Sequence, residues 1–454
     1  MRVTWIQLED LIGFELRQAQ EEGKDIHEIE TRWLAAGGTP APSRGASQAP
    51  VSAALRALAG ELLDELAALP RPLAAREPNE LDAILEAAPR EQPQLAAPGA
   101  DAHRRLAGAW LGRAVGCVLG KPVEGIPREG IRELLEATGR WPLAGYFTAE
   151  GLPASVSERR PWNRASRPTS LAENIDGIPE DDDLNFTMLA VSLLERHGLD
   201  VDSADVAKIW LDFLPPGRIF TAERVACRNL LLGLLPPETA AYRNPFREWI
   251  GARLRVDVYG WAAAGDPLAA ARLAWHDARV SHKANGVYAA MFMAAAHAAS
   301  LGEPSATVAV DAGLSVIPAE SRLAAAIRDA RDVAAAAQEW EPVVDALYER
   351  HGNLHWVHAI NNTALVAAAM CFFDGDFDAA ICGVVQAGWD TDTNGAAIGS
   401  IFGAMLGAGG IEPRWSEQLH GRFASSLPGF DGITLDELTG RTLALVSRAE
   451  QATA

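Results

Sequence analysis

From Asp101 onward, apolar residues recur every three or four positions, with Ala and Leu dominating, and no run of alternating Val, Ile and Thr emerges. This periodicity predicts helices throughout and an all-α bundle. Ahead of the bundle, residues 1 to about 36 read as one or two amphipathic helices, with Ile6, Leu8, Leu11, Ile12 and Leu16 near helical spacing. Gly37 to Ser43 break the pattern, and the stretch to Pro50 has the composition of a linker. A further helix is expected from Val51 to about Leu69, followed by a Pro-rich, acidic segment to Pro98. The expected organisation is a helical extension with linker over residues 1–100, carrying no visible chemistry, and a main domain over residues 101–454. Within the main domain, Thr138 to Pro179 is rich in Gly, Pro, Ser and Arg and reads as a long structureless loop. Loops of that length inside a compact domain are usually functional or mobile.

Two predicted helices carry glycine at every fourth position: Gly108, Gly112, Gly116 and Gly120, and again Gly395, Gly399, Gly403 and Gly407. A step of four returns to nearly the same helix face, so each helix presents a groove of bare backbone. Glycine inside a helix costs about 1 kcal/mol relative to Ala, so the stripes imply a compensating close approach. Packed against one another as an antiparallel pair, the two helices would bring Lys121-Pro122-Val123-Glu124 beside Asp390.

The run from Ala396 to Ile411 is almost wholly apolar, but it falls short of the roughly 20 residues a membrane-spanning helix needs and is rich in Gly. A buried helix is expected, and no membrane association. The N-terminus, MRVTWIQLEDLIG, lacks the unbroken apolar core of a secretory signal. Cys117, Cys227, Cys371 and Cys382 have no paired spacing and sit mostly among Val, Leu, Ile and Phe, as reduced core thiols of a cytoplasmic protein do. The 454-residue chain has a formal net charge of −20 and scattered basic residues, which argues against nucleic-acid binding and favours a metal-bridged or cationic ligand.

The candidate chemistry lies in three acidic segments. Asp390, Asp392 and Thr393 stand at the start of the second glycine helix, and Asp181, Asp182 and Asp183 precede another predicted helix beginning at Leu184. One Asp would cap a helix N-terminus; three in succession repel one another unless a cation lies among them. With Glu124, these residues supply more hard oxygen ligands than one octahedral ion uses, which points to two divalent ions, spaced roughly 3.5 to 4 Å in known two-metal sites. No His and Cys set with zinc spacing competes.

In order along the chain, GRAVGCVLGKPVEG, PEDDDLNFTMLA, the stretch from IGARLRVDVYGWAAAGDP to HDARVSHKANGVYAAMFMAAA, HAINNTALVAAAM and GWDTDTNGAAIGSIFGAMLGA make the sequence similar to the ADP-ribosylglycohydrolase family, which includes the dinitrogenase reductase-activating glycohydrolase. The resemblance implies an all-α fold, two divalent cations, usually Mg2+ or Mn2+, and hydrolysis at the anomeric carbon of an ADP-ribosyl group. It implies that Asp181, Asp182, Asp183, Asp390, Asp392 and Thr393 hold metal, that Glu124 completes the site, and that His282 lies close to it. Two departures stand out. The usual Thr-Asp-Asp-Thr is here Asp181-Asp182-Asp183-Leu184, and the usual Gly-Gly is Gly388-Trp389.

Hydrolysis at a ribose anomeric carbon passes through an oxocarbenium-like state, served by nearby negative charge and a positioned water. Glu124, Asp182 or Asp183 is the expected general base. Gly388 and Trp389 flank the expected substrate position; Trp389 would stack on a base or sugar, or fill a core gap. Asn361 and Asn362 would contact substrate or serve as helix caps. Arg159, Arg160, Arg164 and Arg167 would grip a diphosphate or be plain solvated charges. The expected partner is an ADP-ribosylated or otherwise ribosylated substrate, protein or metabolite. A class I terpene synthase would need a second metal motif that is missing here. A metal-dependent ADP-ribose or nucleotide binder without hydrolysis is the non-enzymatic alternative.

Overall fold

A computed structural model describes residues 2–42, 45–91, 93–96 and 99–453. Ser43 and Arg44 of the expected linker, and Gln92, Ala97 and Pro98 of the Pro-rich segment, lie outside the described residues. The fold is all-α. Among the described residues the only strands are the two-residue pair Arg422–Phe423 and Ile433–Thr434, joined antiparallel.

The helices Ala102–Gly120 and Thr391–Leu406 form the central pair. They run antiparallel, with Gly108 against Gly403 and Gly407, Gly112 against Gly399, Gly116 against Gly395, and Gly120 against the backbone of Thr391 and Asp392. A Cβ at any of these positions but Gly407 would collide with the opposing main chain, and one at Gly407 would meet the Arg104 side chain, so both stripes are explained by one interface. The apolar run Ala396–Ile411 begins inside the second of these helices, buried as expected up to Ala404. No helix among the described residues is long and apolar enough to cross a membrane. The helix Asn285–Ser300, apolar on every side, is buried along its whole length, as a core helix of a large domain must be. The four cysteines are free.

The extension forms the helices Leu8–Glu21, His27–Ala35 and Ala53–Ala68. Its apolar face does not close on itself. Leu11, Phe14, Trp33 and Leu62 share one core with Phe246, Trp249, Ile250 and Val357 of the main domain. Ion pairs reinforce the junction: the buried Arg247 guanidinium binds Glu15 at 2.7 Å and Glu22 at 2.7 Å, and the half-buried Arg322 joins Glu77 and Glu248 at 2.8 Å each. The segment expected as a structureless loop contains two short helices, Ala154–Arg159 and Arg167–Ser170. It is tied down by bonds such as Asn163 N–H to Pro122 O (3.0 Å) and Ala172 N–H to Phe147 O (2.7 Å). Composition did not reveal this, because helices of six and four residues leave too little periodicity to read.

Candidate metal centre and ligand cavity

The central glycine pair decides where the acidic residues meet. The first helix ends at Gly120, and a 3-10 turn, Lys121–Val123, delivers Glu124. Because Gly120 has no side chain, the N-terminal turn of the opposing helix lies directly against it, and the Thr391 hydroxyl donates to Gly120 O at 2.8 Å. That contact brings Glu124 into range of Asp390 and Asp392. The helix Asp182–His197 enters from the side, capped by Asp181, whose Oδ1 accepts from Asp183 N–H at 2.9 Å.

Two carboxylate trios result. One ligand atom each from Glu124, Asp390 and Asp392 lie within 4.8 Å of one another, and so do atoms from Asp181, Asp183 and Asp392. Asp392 belongs to both. The Thr393 hydroxyl donates to Asp183 Oδ2 at 3.0 Å, and Arg113, fully buried, reaches Asp183 Oδ1 at 3.3 Å and Asp257 Oδ1 at 2.8 Å. The Lys121 ammonium ion-pairs with Asp181 Oδ2 and donates to Glu180 O at 3.1 Å.

Withdrawal from water, with mutual repulsion second, pushes the carboxyl groups of Glu124, Asp182, Asp183 and Asp390 well above the usual range. The same causes, with Asp181 the main neighbouring charge, bring Asp392 up to about 6. An all-oxygen donor set that resists ionisation until positive charge arrives is what a hard divalent cation relieves. The residues therefore fit such a group.

The cluster lines a cavity of about 510 Å³, well within the range of small-molecule sites. Glu124, Asp181, Asp182, Asp183, Asp390, Asp392 and Thr393, all singled out from the sequence, lie in its wall. His282, Asn361, Asn362, Gly388 and Trp389 do not. Their expected substrate contacts give way to supporting positions behind the wall. Asn362 Oδ1 accepts from Asp390 N–H at 3.2 Å and from Asn394 at 2.8 Å, while its amide donates to Trp356 O and His358 O. Asn361 holds His355 O at 3.2 Å, and the helix cap is His358 rather than either asparagine. Trp389 is buried and stacked on Tyr348, ring centroids 4.5 Å apart, so it fills a core gap. A side chain at Gly388 would press against the Tyr348 hydroxyl. His282 bonds Ser281 Oγ at 2.8 Å and lies 3.9 Å from Glu223, a carboxylate of the wall.

The arginines expected to meet a diphosphate are also elsewhere: Arg159 and Arg160 pair with Glu133, and Arg164 and Arg167 stand outside the wall. Residues the sequence reading missed take part instead. Asn163, from the long loop, donates to Glu124 Oε2 at 2.9 Å, and Arg218 pairs with Glu180 at 3.2 Å. Lys121 had a signal, its place three residues before Glu124. The remaining wall residues, including Trp5 and Phe14 of the extension, had none, because long-range docking leaves no local spacing.

A model of the ADP-ribosylglycohydrolase family matches residues 98–452. The chain belongs to the ADP-ribosylglycohydrolase family. This is a family of glycohydrolases that act on ADP-ribosylated substrates, and the all-α architecture accords with it. A protein of Archaeoglobus fulgidus described only as uncharacterized is 28% identical over 319 residues, 69% of this chain and 90% of that protein. A solved structure titled "ADP-ribosylglycohydrolase-related protein complex" is similar at a TM-score of 0.46 with 22% identity, over 77% of this chain and 99% of that one. The family match begins at residue 98, so the extension lies outside it.

Proposed function

We propose that this ADP-ribosylglycohydrolase-family chain is a divalent-metal-dependent glycosidase that cleaves the bond at the anomeric carbon of an ADP-ribosyl or related ribosyl substrate. The observation that carries the reading is the pair of carboxylate trios joined through Asp392 in the wall of one cavity. Glu124, Asp390 and Asp392 would hold one Mg2+ or Mn2+, and Asp181, Asp183 and Asp392 the other, with Thr393 beside Asp183. Bound there, the ions supply positive charge that anchors ribose hydroxyls and acidifies a water.

The protein's own groups divide the remaining work. Asp183 is held on both oxygens, by Arg113 and by Thr393, which suits a fixed ligand rather than a proton carrier. Asn163 steadies Glu124 by donating to Oε2. No side-chain hydrogen bond among the described residues reaches the Asp182 carboxylate, which lines the cavity beside the trios. Asp182 is therefore the favoured general base, taking a proton from the attacking water, and the concentration of negative charge around it favours the oxocarbenium-like state.

Incubation with Mg2+ or Mn2+ and a panel of ADP-ribosyl-arginine, ADP-ribosyl-serine and free nucleosides tests the reading. Metal-dependent release of the group from the ribose supports it. Binding without turnover across the panel would make the protein a metal-dependent ribosyl binder instead.

A further inference from the structure

Part of the cavity wall is aromatic, and some of it comes from outside the family domain. Trp5, Phe14 and Gly45 of the extension line it together with Phe220, Trp249 and Trp356. The rings form two connected groups. Trp5 meets Phe220 edge to face at 5.8 Å between centroids. Phe14 meets Trp249 in the same way at 5.7 Å, and Trp249 is stacked on His355 at 4.1 Å.

Trp5 is held there at a conformational cost. Its φ of 58° lies in the left-handed region, where a bulky residue is an outlier. Such strain persists only where the surroundings over-determine it. Here Trp5 N–H donates to Gly45 O at 2.7 Å, and the indole lies so close over Gly45 that any side chain at that position would collide with the ring. Arg224 backs the assembly, its guanidinium 5.4 Å from the Trp5 ring and 5.5 Å from that of Phe220.

The two basic side chains in the cavity wall, Lys121 and Arg218, are each already paired with a carboxylate, Asp181 and Glu180. What Trp5, Phe14, Phe220 and Trp249 present in the wall is ring surface, which suits an uncharged planar group.

Resting on the proposed ribosyl-cleaving site, we infer that Trp5 and Phe14 make the extension a specificity element. They build, with Trp249 and Phe220, a subsite for the uncharged aromatic ring of a ribosyl glycoside whose sugar sits at the carboxylates. Residues 2–42 and 45–68 are then part of the substrate site, and the chain discriminates ring-bearing ribosides from ring-free ones.

Calorimetric titration of the full-length, Mn2+-treated protein with adenosine and with methyl ribofuranoside tests this. Stacking of one base on an aromatic residue predicts that adenosine binds about tenfold tighter or more, and that Trp5→Ala removes most of that preference while leaving methyl ribofuranoside unaffected. Trp5→Leu keeps apolar bulk without the ring face, so it should lose the preference too if Trp5→Ala compromises folding, which circular dichroism would reveal. Equal binding of the two ribosides by the wild type, or a preference that survives both substitutions, would overturn the inference. A parallel Mn2+ titration separates the two readings: a protein that binds no Mn2+ yet loses adenosine affinity on Trp5→Ala keeps the aromatic subsite and sinks only the metal site.

Discussion

The carbonyl oxygen of Gly395 occupies the space that a Cβ on Gly116 would need, and the carbonyl of Gly116 blocks a Cβ on Gly395 in return. Neither neighbour is a flexible side chain, so an added methyl group must push two helices apart at the point that positions Glu124 against Asp392. Gly116→Ala is expected to destabilise the fold by about 3 kcal/mol or more, at or above the usual range for overpacking. Gly440, in the exposed face of the helix Leu435–Thr453 with open space around it, is the control. Gly440→Ala should stabilise by roughly 0.5 to 1 kcal/mol. Equal effects in urea melts would contradict the close-approach account.

Glu15 and Arg247 tie the extension to the family domain through a two-pronged ion pair, 2.7 and 2.8 Å, with both side chains buried. Removing Glu15 leaves the buried Arg247 charge with Glu22 alone beside it, so Glu15→Gln should cost about 3 to 5 kcal/mol. A double-mutant cycle with Arg247→Met, read by denaturant unfolding, measures the coupling. Additive effects would mean that the pair does not couple the two parts.

Burial disfavours the protonated form of His282, His297, His355 and His358. Burial lowers His297 and His358 to about 4 and His355 to about 3, from an ordinary 6.5. The unfolded chain takes up these protons below pH 6.5 while the native one does not, so each site's stabilisation is present above pH 6.5 and is lost progressively as pH falls toward the native value. Per site the slope is roughly 1.4 kcal/mol per pH unit. The raised carboxyl groups of the acidic cluster act in the opposite direction, so a single site must be isolated. His355→Phe preserves the stack on Trp249, and its stability between pH 6 and 4 should fall less steeply than the wild type's by about that slope. Identical slopes in denaturant titrations would contradict the assignment.

Much of the site was legible because its parts repeat at helical spacing. The two glycine stripes implied an antiparallel contact, and that contact carries Glu124 to Asp390 and Asp392 as read. Asp181 to Asp183 were legible as more acid than one helix cap uses. Side-chain direction was not. Trp389, although next to Asp390, turns back onto Tyr348 because its backbone adopts φ 60°, a conformation no residue spacing announces. Asn361 and Asn362 sit at the correct place in the chain but spend their amides on the 355–358 turn and on Asp390. The aromatic wall was hidden for another reason. Trp5 and Phe14 reach the cavity only through docking onto Phe246 and Trp249, contacts more than two hundred positions apart in the chain.

Asp392 is the residue both carboxylate trios share, and it bears on the central claim most directly. Isothermal titration of the apoprotein with Mn2+ should give two ions per chain for the wild type. Asp392→Asn, isosteric but uncharged, should weaken both together, by at least tenfold each, without lowering the melting temperature of the apoprotein. A wild-type chain that binds no Mn2+, or an Asp392→Asn variant that binds two ions with unchanged affinity, would contradict the two-ion site.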